Sequence, residues 1–173
     1  MDKRLEILKV MNSITNNMDF KEFTQNIGLS QQQTLRYMQE LAETGFLKKV
    51  GKGYAMTQKG KVALRMLKTV PEGSEFHFYT GINQYTGFSA KSLEDFNKII
   101  KNVDTAALEF HVFRGDFENW IETVFKDSEL AEKLKNIRES GMKGEALRKE
   151  LLEVTEPRYQ TFKKHFMPSH TAS

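Results

Sequence analysis

Four side chains within residues 71–173 are of types that could transfer a proton or bind an anion. His111, Arg114 and Asp116 lie within six residues, and His77 would lie beside them if two predicted strands pair. A histidine next to a carboxylate and a guanidinium can act as a general acid or base. Structural roles also explain them: Asp116 as a helix cap, Arg114 as its ion-pair partner, and the histidines as hydrogen-bonded strand residues. We therefore predict that the protein is not an enzyme, with catalysis by His111, Arg114 and Asp116 as a remote alternative.

Aromatic side chains are frequent in the same part of the chain, and the first interpretation is that they form a hydrophobic core. A second interpretation is an apolar ligand pocket in which histidine, tyrosine, tryptophan and arginine supply the polar groups. The candidate lining residues of this pocket are His77, Tyr79, Tyr85, His111, Arg114 and Trp120.

Neither a cofactor nor a metal site is indicated by the residue types. The sequence contains no cysteine, which excludes disulfides and thiolate zinc sites. No two histidines have the spacing of helical metal ligands, and no carboxylate cluster has ligand spacing either. Gly141 and Gly144 are too close together for a phosphate-binding loop, and they follow a predicted helix. We predict no cofactor and no metal.

The charge of the chain is unevenly distributed. Residues 1–70 contain 12 lysines and arginines against 6 acidic residues, whereas residues 71–173 contain 14 against 17. The excess of positive charge in the first part favours a polyanionic partner, and the acidic second part favours a different role. We predict two domains, at residues 1–70 and 74–166, followed by a flexible tail at residues 167–173.

The first domain has the pattern of three helices, a hairpin and a fourth helix. The first helix is predicted to end at Asn16-Asn17, and Gly28 ends the second helix. Asp19, Ser30 and Thr57 are the predicted N-caps of the second, third and fourth helices. The third helix spans residues 30–44, and two short strands around a glycine turn form a hairpin at residues 46–56. A short helix, a glycine-containing turn and a longer helix form the helix-turn-helix layout. The basic hairpin that follows has the position of a wing.

Three motifs of this domain resemble those of winged-helix transcriptional regulators. The motifs are Gly28-Leu29-Ser30, Leu41-Ala42-Glu43-Thr44-Gly45-Phe46-Leu47 and Tyr54-Ala55-Met56-Thr57-Gln58-Lys59-Gly60. The resemblance covers residues 3–68 and implies sequence-specific binding of double-stranded DNA in transcription regulation. The third helix would enter the major groove, and the hairpin would contact phosphate or the minor groove. The DNA-binding residues would be Ser30, Gln31, Gln32, Gln33, Leu35, Arg36, Lys48, Lys49 and Lys52.

Alternatives to these contacts remain open. Glutamines are also good helix formers at an exposed helix start, and lysines are common on solvated hairpins. Winged helices also bind proteins, so the alternative function is an adaptor whose two domains bind partners in transcription or DNA-maintenance machinery.

The second domain is predicted to be mostly helical with about two short strands, so that the whole chain is of the α+β class. One predicted strand is Phe76–Tyr79, and the other is residues 106–113. In the second strand Leu108, Phe110 and Val112 would face one way, and Glu109, His111 and Phe113 would face the other. Between them we expect a loop at residues 81–88 and a helix capped by Ser89. Further helices, capped by Asp116 and Asp127, complete the domain, and Gly141 is expected to end the helix that Asp127 caps.

The last helix is expected to break or kink at Pro157. The segment Phe110-His111-Val112-Phe113-Arg114-Gly115-Asp116, with the strand and loop before it, resembles an uncharacterised domain found chiefly in archaeal proteins. That resemblance spans about residues 76–155 and implies an archaeal source rather than an activity. We expect this domain to sense an effector, to dimerise or to dock a partner.

The expected partners are double-stranded DNA, a second copy of the chain and, at the C-terminal domain, a protein or small-molecule effector. No stretch approaches the roughly 18 apolar residues of a membrane span, and the N-terminus lacks the apolar run of a signal peptide. We therefore expect a cytoplasmic protein without a membrane partner. A homodimer would place two recognition helices about 34–36 Å apart, which predicts a pseudo-palindromic site.

Overall fold

The computed structural model describes residues 1–14 and 18–167, and 65% of the chain is helical. The chain divides into two compact units. The first unit consists of Met1–Leu64 together with the described residues from Lys164 onward, and the second unit is Arg65–Lys163. The α+β class is confirmed, because two short two-stranded sheets accompany the helices of the described part.

Helices and one hairpin make up the first unit. Its elements are α1 (Lys3–Ser13), α2 (Phe20–Ile27), α3 (Gln31–Glu43), β1 (Leu47–Val50), β2 (Gly53–Met56) and α4 (Gln58–Met66), whose last two residues belong to the second unit. The predicted caps are confirmed: Asp19 accepts a hydrogen bond from the N–H of Glu22, and Gly28 is left-handed at φ 64°.

Thr57 and Gly60 hold α4 close to the start of the wing. The Thr57 hydroxyl donates to the carbonyls of Gly45 and Phe46, and it accepts from the Gly60 N–H as the predicted N-cap. A Cβ on Gly60 would collide with the Phe46 carbonyl. Glycine at this position therefore permits the close approach of helix and strand.

The end of the last helix packs within the first unit. Phe46 contacts His165 and Phe166 with ring centroids 4.8 and 4.9 Å apart, and Arg4 donates to the His165 carbonyl at 2.9 Å. We predicted that residues 74–166 form the second domain. The structure instead groups the chain from Lys164 with the first unit, because these contacts bury Phe166 there.

The second unit combines one hairpin with helices. Its elements are β3 (Phe76–Tyr79), β4 (Tyr85–Ala90), α5 (Leu93–Asn102), α6 (Thr105–Arg114), α7 (Asp116–Trp120), a π-helical turn (Ile121–Phe125), α8 (Ser128–Ser140) and α9 (Gly144–Phe166). The two strands are antiparallel, with Phe76 opposite Ala90 and Tyr79 opposite Tyr85. Phe76 and Phe78 point into the core, whereas His77 is exposed.

The predicted strand at residues 106–113 is wrong, because this segment forms α6. Asp104 caps the helix by accepting from the Ala106 N–H, and Gly115 ends it at φ 74°. The buried residues recur three and four positions apart, which is the helical spacing; they are Ala107, Leu108, His111 and Val112. The alternation that suggested a strand therefore does not describe which side chains are buried.

The second strand lies at Tyr85–Ala90 instead, where we predicted a loop and a helix start. Ser89 pairs with His77 across the sheet, and the N-cap of α5 is Ser92, which accepts from the Asp95 N–H. The glycines that flank this segment, Gly81 and Gly87, suggested a loop. Pairing with β3 outweighs that local preference.

The predictions for α7, α8 and α9 are confirmed only in part. Asp127 and Gly141 bound α8 as predicted. Asp116 does not cap α7, because its carboxylate bonds the His111 ring instead. Pro157 does not break α9, which continues to Phe166. Buried residues on both sides of Pro157, including Thr155 and Tyr159, keep one packed face, so packing outweighs the missing hydrogen bond.

Two predictions lie outside the described residues. These are a first-helix end at Asn16–Asn17 and, beyond Met167, the flexible tail. Within the described part of the chain, no helix is both long enough and apolar enough to cross a membrane.

Candidate functional site

The start of α3 is held by a reciprocal pair of hydrogen bonds. The Ser30 hydroxyl accepts from the Gln33 N–H, and the Gln33 side-chain oxygen accepts from the Ser30 N–H, both at 3.1 Å. This capping box fixes where the helix begins. It also occupies the carbonyl end of the Gln33 amide, so Gln33 is less free than Gln31 or Gln32 to meet a partner.

One face of α3 is polar and open to solvent. The opposite face is buried through Thr34, Met38 and Leu41. At 100° per residue, Gln32, Arg36 and Gln39 lie directly across the helix from that core. Leu35 lies beside this stripe and Gln31 lies closer to the buried face, and both are exposed.

Arg36 is the cation of this face, and its side chain is 81% exposed. Its Nε lies 3.5 Å from the Glu40 carboxylate, one helical turn further on. An exposed pair of this kind is worth only about 0.3–0.5 kcal/mol. Arg36 can therefore exchange Glu40 for a stronger acceptor at little cost. Gln39 was not among our predicted contacts, although its spacing of seven residues from Gln32 indicates the shared face.

The wing presents three lysines to solvent. Val50 pairs with Gly53, which leaves Gly51 and Lys52 as a two-residue turn, with Gly51 at φ 58°. Lys48, Lys49 and Lys52 are exposed, and in the part of the chain that the structure describes none of them pairs with a carboxylate. Exposed unpaired lysines on a hairpin are suited to contacts with phosphate.

The second unit contains a cavity of about 520 Å³ beside β3 and α6. Five of the six predicted pocket residues line it, and these are His77, Tyr79, His111, Arg114 and Trp120. Tyr85 does not line it and packs on Tyr79, with ring centroids 5.4 Å apart. The structure adds lining residues that sequence reasoning missed, among them Glu75, Phe76, Asn83, Phe110 and Asn119. Their positions depend on the hairpin and on α6, which the sequence did not predict correctly.

His111 connects three elements at the base of this cavity. Its Nε2 accepts the N–H of Tyr79 at 2.8 Å, so the ring proton is on Nδ1, which donates to Asp116 at 2.8 Å. The neutral ring therefore satisfies both of its nitrogens. Arg114 approaches the same Asp116 oxygen, with its Nε at 3.2 Å. The predicted neighbours His111, Arg114 and Asp116 do come together, whereas His77 bonds Ser89 across the sheet.

Burial keeps His111 neutral. Desolvation lowers the pKa of His111, the nearby Arg114 charge lowers it further, and the Asp116 hydrogen bond and charge only partly oppose this. Protonation at Nε2 would also break the bond to the Tyr79 N–H. A buried neutral histidine with two fixed partners is suited to holding the fold together more than to transferring protons at neutral pH.

We expect the protein to lose stability as the pH falls below about 6.5, the ordinary histidine pKa. The folded pKa of His111 lies below the unfolded value, so the unfolded chain binds more protons in this interval and is stabilised relative to the folded state as the pH falls. The stabilisation is complete above the unfolded pKa and is lost as the pH falls through the folded pKa. Urea unfolding curves between pH 8 and pH 5 measure this slope.

The matched variant for this test is His111→Gln, which removes the titrating group. It should show a smaller loss of stability over the same interval. His165 supplies the remaining slope, because burial and the charges of Arg4 and Lys59 lower its pKa as well. An unchanged slope in His111→Gln would contradict the assignment to His111.

Two family models match the chain. A winged helix-turn-helix model matches residues 3–74, which agrees with the architecture of the first unit. The model of a family of unknown function, DUF5752, matches residues 73–172, more than half of the chain. The comparisons with curated proteins and with solved structures gave no match. The winged helix-turn-helix indicates DNA binding by the N-terminal part of the chain.

Proposed function

We propose that this chain, which belongs to the DUF5752 family of unknown function and carries a winged helix-turn-helix before the family domain, is a sequence-specific regulator that binds double-stranded DNA. The proposal rests on the exposed polar face of α3, formed by Gln32, Arg36 and Gln39, and on the hairpin that follows it with three exposed lysines.

In this proposal α3 enters the major groove with its N-terminal half against the base edges. Glutamine can pair bidentately with adenine, and arginine with guanine. Gln32 and Arg36 are one helical turn apart on the exposed face, so they would meet neighbouring base pairs. The N–H groups of the helix start that the Ser30 cap does not bond would be available to a phosphate.

The wing supplies affinity rather than sequence information. Lys48, Lys49 and Lys52 would neutralise phosphates or reach the minor groove, and each such contact releases counterions. Homodimerisation through the C-terminal domain would place two α3 helices about 34–36 Å apart on a pseudo-palindromic site. The acidic second part of the chain supports a role for that domain other than DNA binding.

The test is a fluorescence-anisotropy titration of a labelled random-sequence duplex at several salt concentrations. Wild-type protein should lose affinity steeply with salt. The triple variant Lys48→Ala/Lys49→Ala/Lys52→Ala should bind more weakly, with a slope of log K against log salt that is smaller by up to about 2.7, at 0.9 per phosphate contact.

The matched control is Lys91→Ala/Lys143→Ala/Lys149→Ala, which removes the same charge from exposed positions of the second unit. This control should keep most of the wild-type slope. If both triple variants weaken binding equally, net charge rather than the wing accounts for it. If wild-type protein does not bind at low salt, the regulator proposal fails and the adaptor alternative replaces it.

A further inference from the structure

We propose that the cavity of the second unit binds a free α-amino acid with a large apolar side chain. The cavity measures about 520 Å³, within the range of pockets that hold small organic ligands. Its walls combine aromatic rings with one guanidinium and two carboxylates, from Arg114, Glu75 and Asp116. No step of the DNA-binding proposal uses these groups.

The guanidinium of Arg114 is oriented to bind a carboxylate. Its guanidinium carbon lies 4.9 Å from the centre of the Phe110 ring, and its Nε faces Asp116. These two contacts orient the planar group while its terminal nitrogens have no partner among the described residues. The two terminal N–H groups of an arginine match the two oxygens of a carboxylate. Half of the side chain is exposed, so a ligand can reach it.

Glu75 is the counterpart for an ammonium group. It lines the same cavity, is only partly exposed, and forms no hydrogen bond or ion pair within residues 1–14 and 18–167. Asp116 is already engaged, because one of its oxygens receives the His111 Nδ1–H and faces Arg114. Among the described residues, Glu75 is therefore the carboxylate of this cavity with neither oxygen bonded, and Arg114 is the cation whose terminal nitrogens have no partner.

Aromatic side chains complete the site. Phe76, Tyr79, Phe110 and Trp120 line the cavity, and burial of an apolar side chain against them supplies the affinity that two exposed ion pairs lack. A simple anion would meet the Glu75 and Asp116 carboxylates, and a simple cation would meet Arg114. A zwitterion with an apolar side chain can pair with both the carboxylate and the guanidinium and can also pack against the aromatic lining residues.

The test uses isothermal titration calorimetry on the full chain with L-phenylalanine as the probe. Two analogues isolate each charged group: 3-phenylpropionate lacks the ammonium, and 2-phenylethylamine lacks the carboxylate. Each analogue should bind at least about tenfold more weakly than L-phenylalanine, the ratio that corresponds to one lost interaction of 1.4 kcal/mol. L-alanine, which lacks the apolar body, should also bind more weakly.

Substitutions at the two charged residues test whether each one binds the ligand. Arg114→Lys keeps the charge but loses the planar pair of donors, and Glu75→Gln removes the second charge. Both should bind L-phenylalanine at least tenfold more weakly, whereas Glu109→Gln, on α6 but outside the cavity, should bind it as wild type does. Far-UV circular dichroism confirms that each variant is folded.

Three results would overturn the inference: no binding of L-phenylalanine, equal binding of either analogue, or wild-type binding by Arg114→Lys. DNA binding is measured separately and does not decide this result, because the cavity lies wholly within Arg65–Lys163.

Discussion

Replacing Arg158 by leucine should lower the free energy of unfolding by about 3–5 kcal/mol. Arg158 holds the Asp127 carboxylate through two bonds, from Nε at 2.8 Å and from Nη2 at 3.1 Å. The Asp127 side chain is 2% exposed. Without the guanidinium, the one remaining partner of this buried carboxylate among the described residues would be the Leu130 N–H, which it accepts as the N-cap of α8. Removing one partner of a buried pair costs this much because the other charge stays desolvated.

Urea unfolding followed by the fluorescence of Trp120 measures this loss. Trp120 is the single tryptophan of the sequence, lies in the same unit, and donates its ring N–H to the Ser74 carbonyl at 2.7 Å. The control is Lys133→Leu, which breaks an exposed pair with Glu129 and should cost less than about 1 kcal/mol. Equal effects of Arg158→Leu and Lys133→Leu would show that Asp127 does not depend on Arg158.

The first unit was predictable because its signals are local. The Asp19 and Ser30 side chains each accept a hydrogen bond from the N–H three residues further on, and a left-handed glycine ends α2 at Gly28. Such short-range chemistry can be identified directly from a sequence. What the sequence did not show is the contact of Phe166 with Phe46, since it joins residues far apart in the chain.

The second unit was harder because burial there contradicts the residue types. His111 is polar and buried, whereas Phe113 is apolar and exposed. Leu108, Phe110 and Val112 alternate with Glu109, His111 and Phe113, which predicted a strand, whereas the residues that are buried recur with the periodicity of a helix. The Asp104 cap and Gly115 end were present in the sequence, and they would have indicated the helix.

The candidate pocket was likewise predictable only where its residues are close together in the sequence. His111, Arg114 and Asp116 were identified together because they are close in sequence, and a helix followed by a turn does bring them into contact. Glu75 and Asn83 come from the hairpin that precedes them. Their placement depends on the pairing of β3 with β4 and on the bond from the Tyr79 N–H to His111, which are tertiary contacts.

Replacing Phe117 by alanine should cost about 3–5 kcal/mol, whereas the same change at Phe113 should stay within about 0.5 kcal/mol. Phe117 is 2% exposed, and its ring contacts Phe76, Phe96 and His111 at centroid distances of 5.1, 5.0 and 5.6 Å. Phe113 is 85% exposed. The chemical change is identical, so the difference measures burial alone, and urea unfolding by circular dichroism records it.

This pair of variants also tests whether residues 106–113 form the helix α6 or the strand predicted from the sequence. If residues 106–113 formed a strand, Phe113 would share a face with His111, since side chains two apart point the same way. In the helix the two positions point apart, because successive residues are rotated by 100°, and only His111 reaches the core. A large loss on Phe113→Ala would contradict the helix, and a small loss on Phe117→Ala would contradict the aromatic core packed around it.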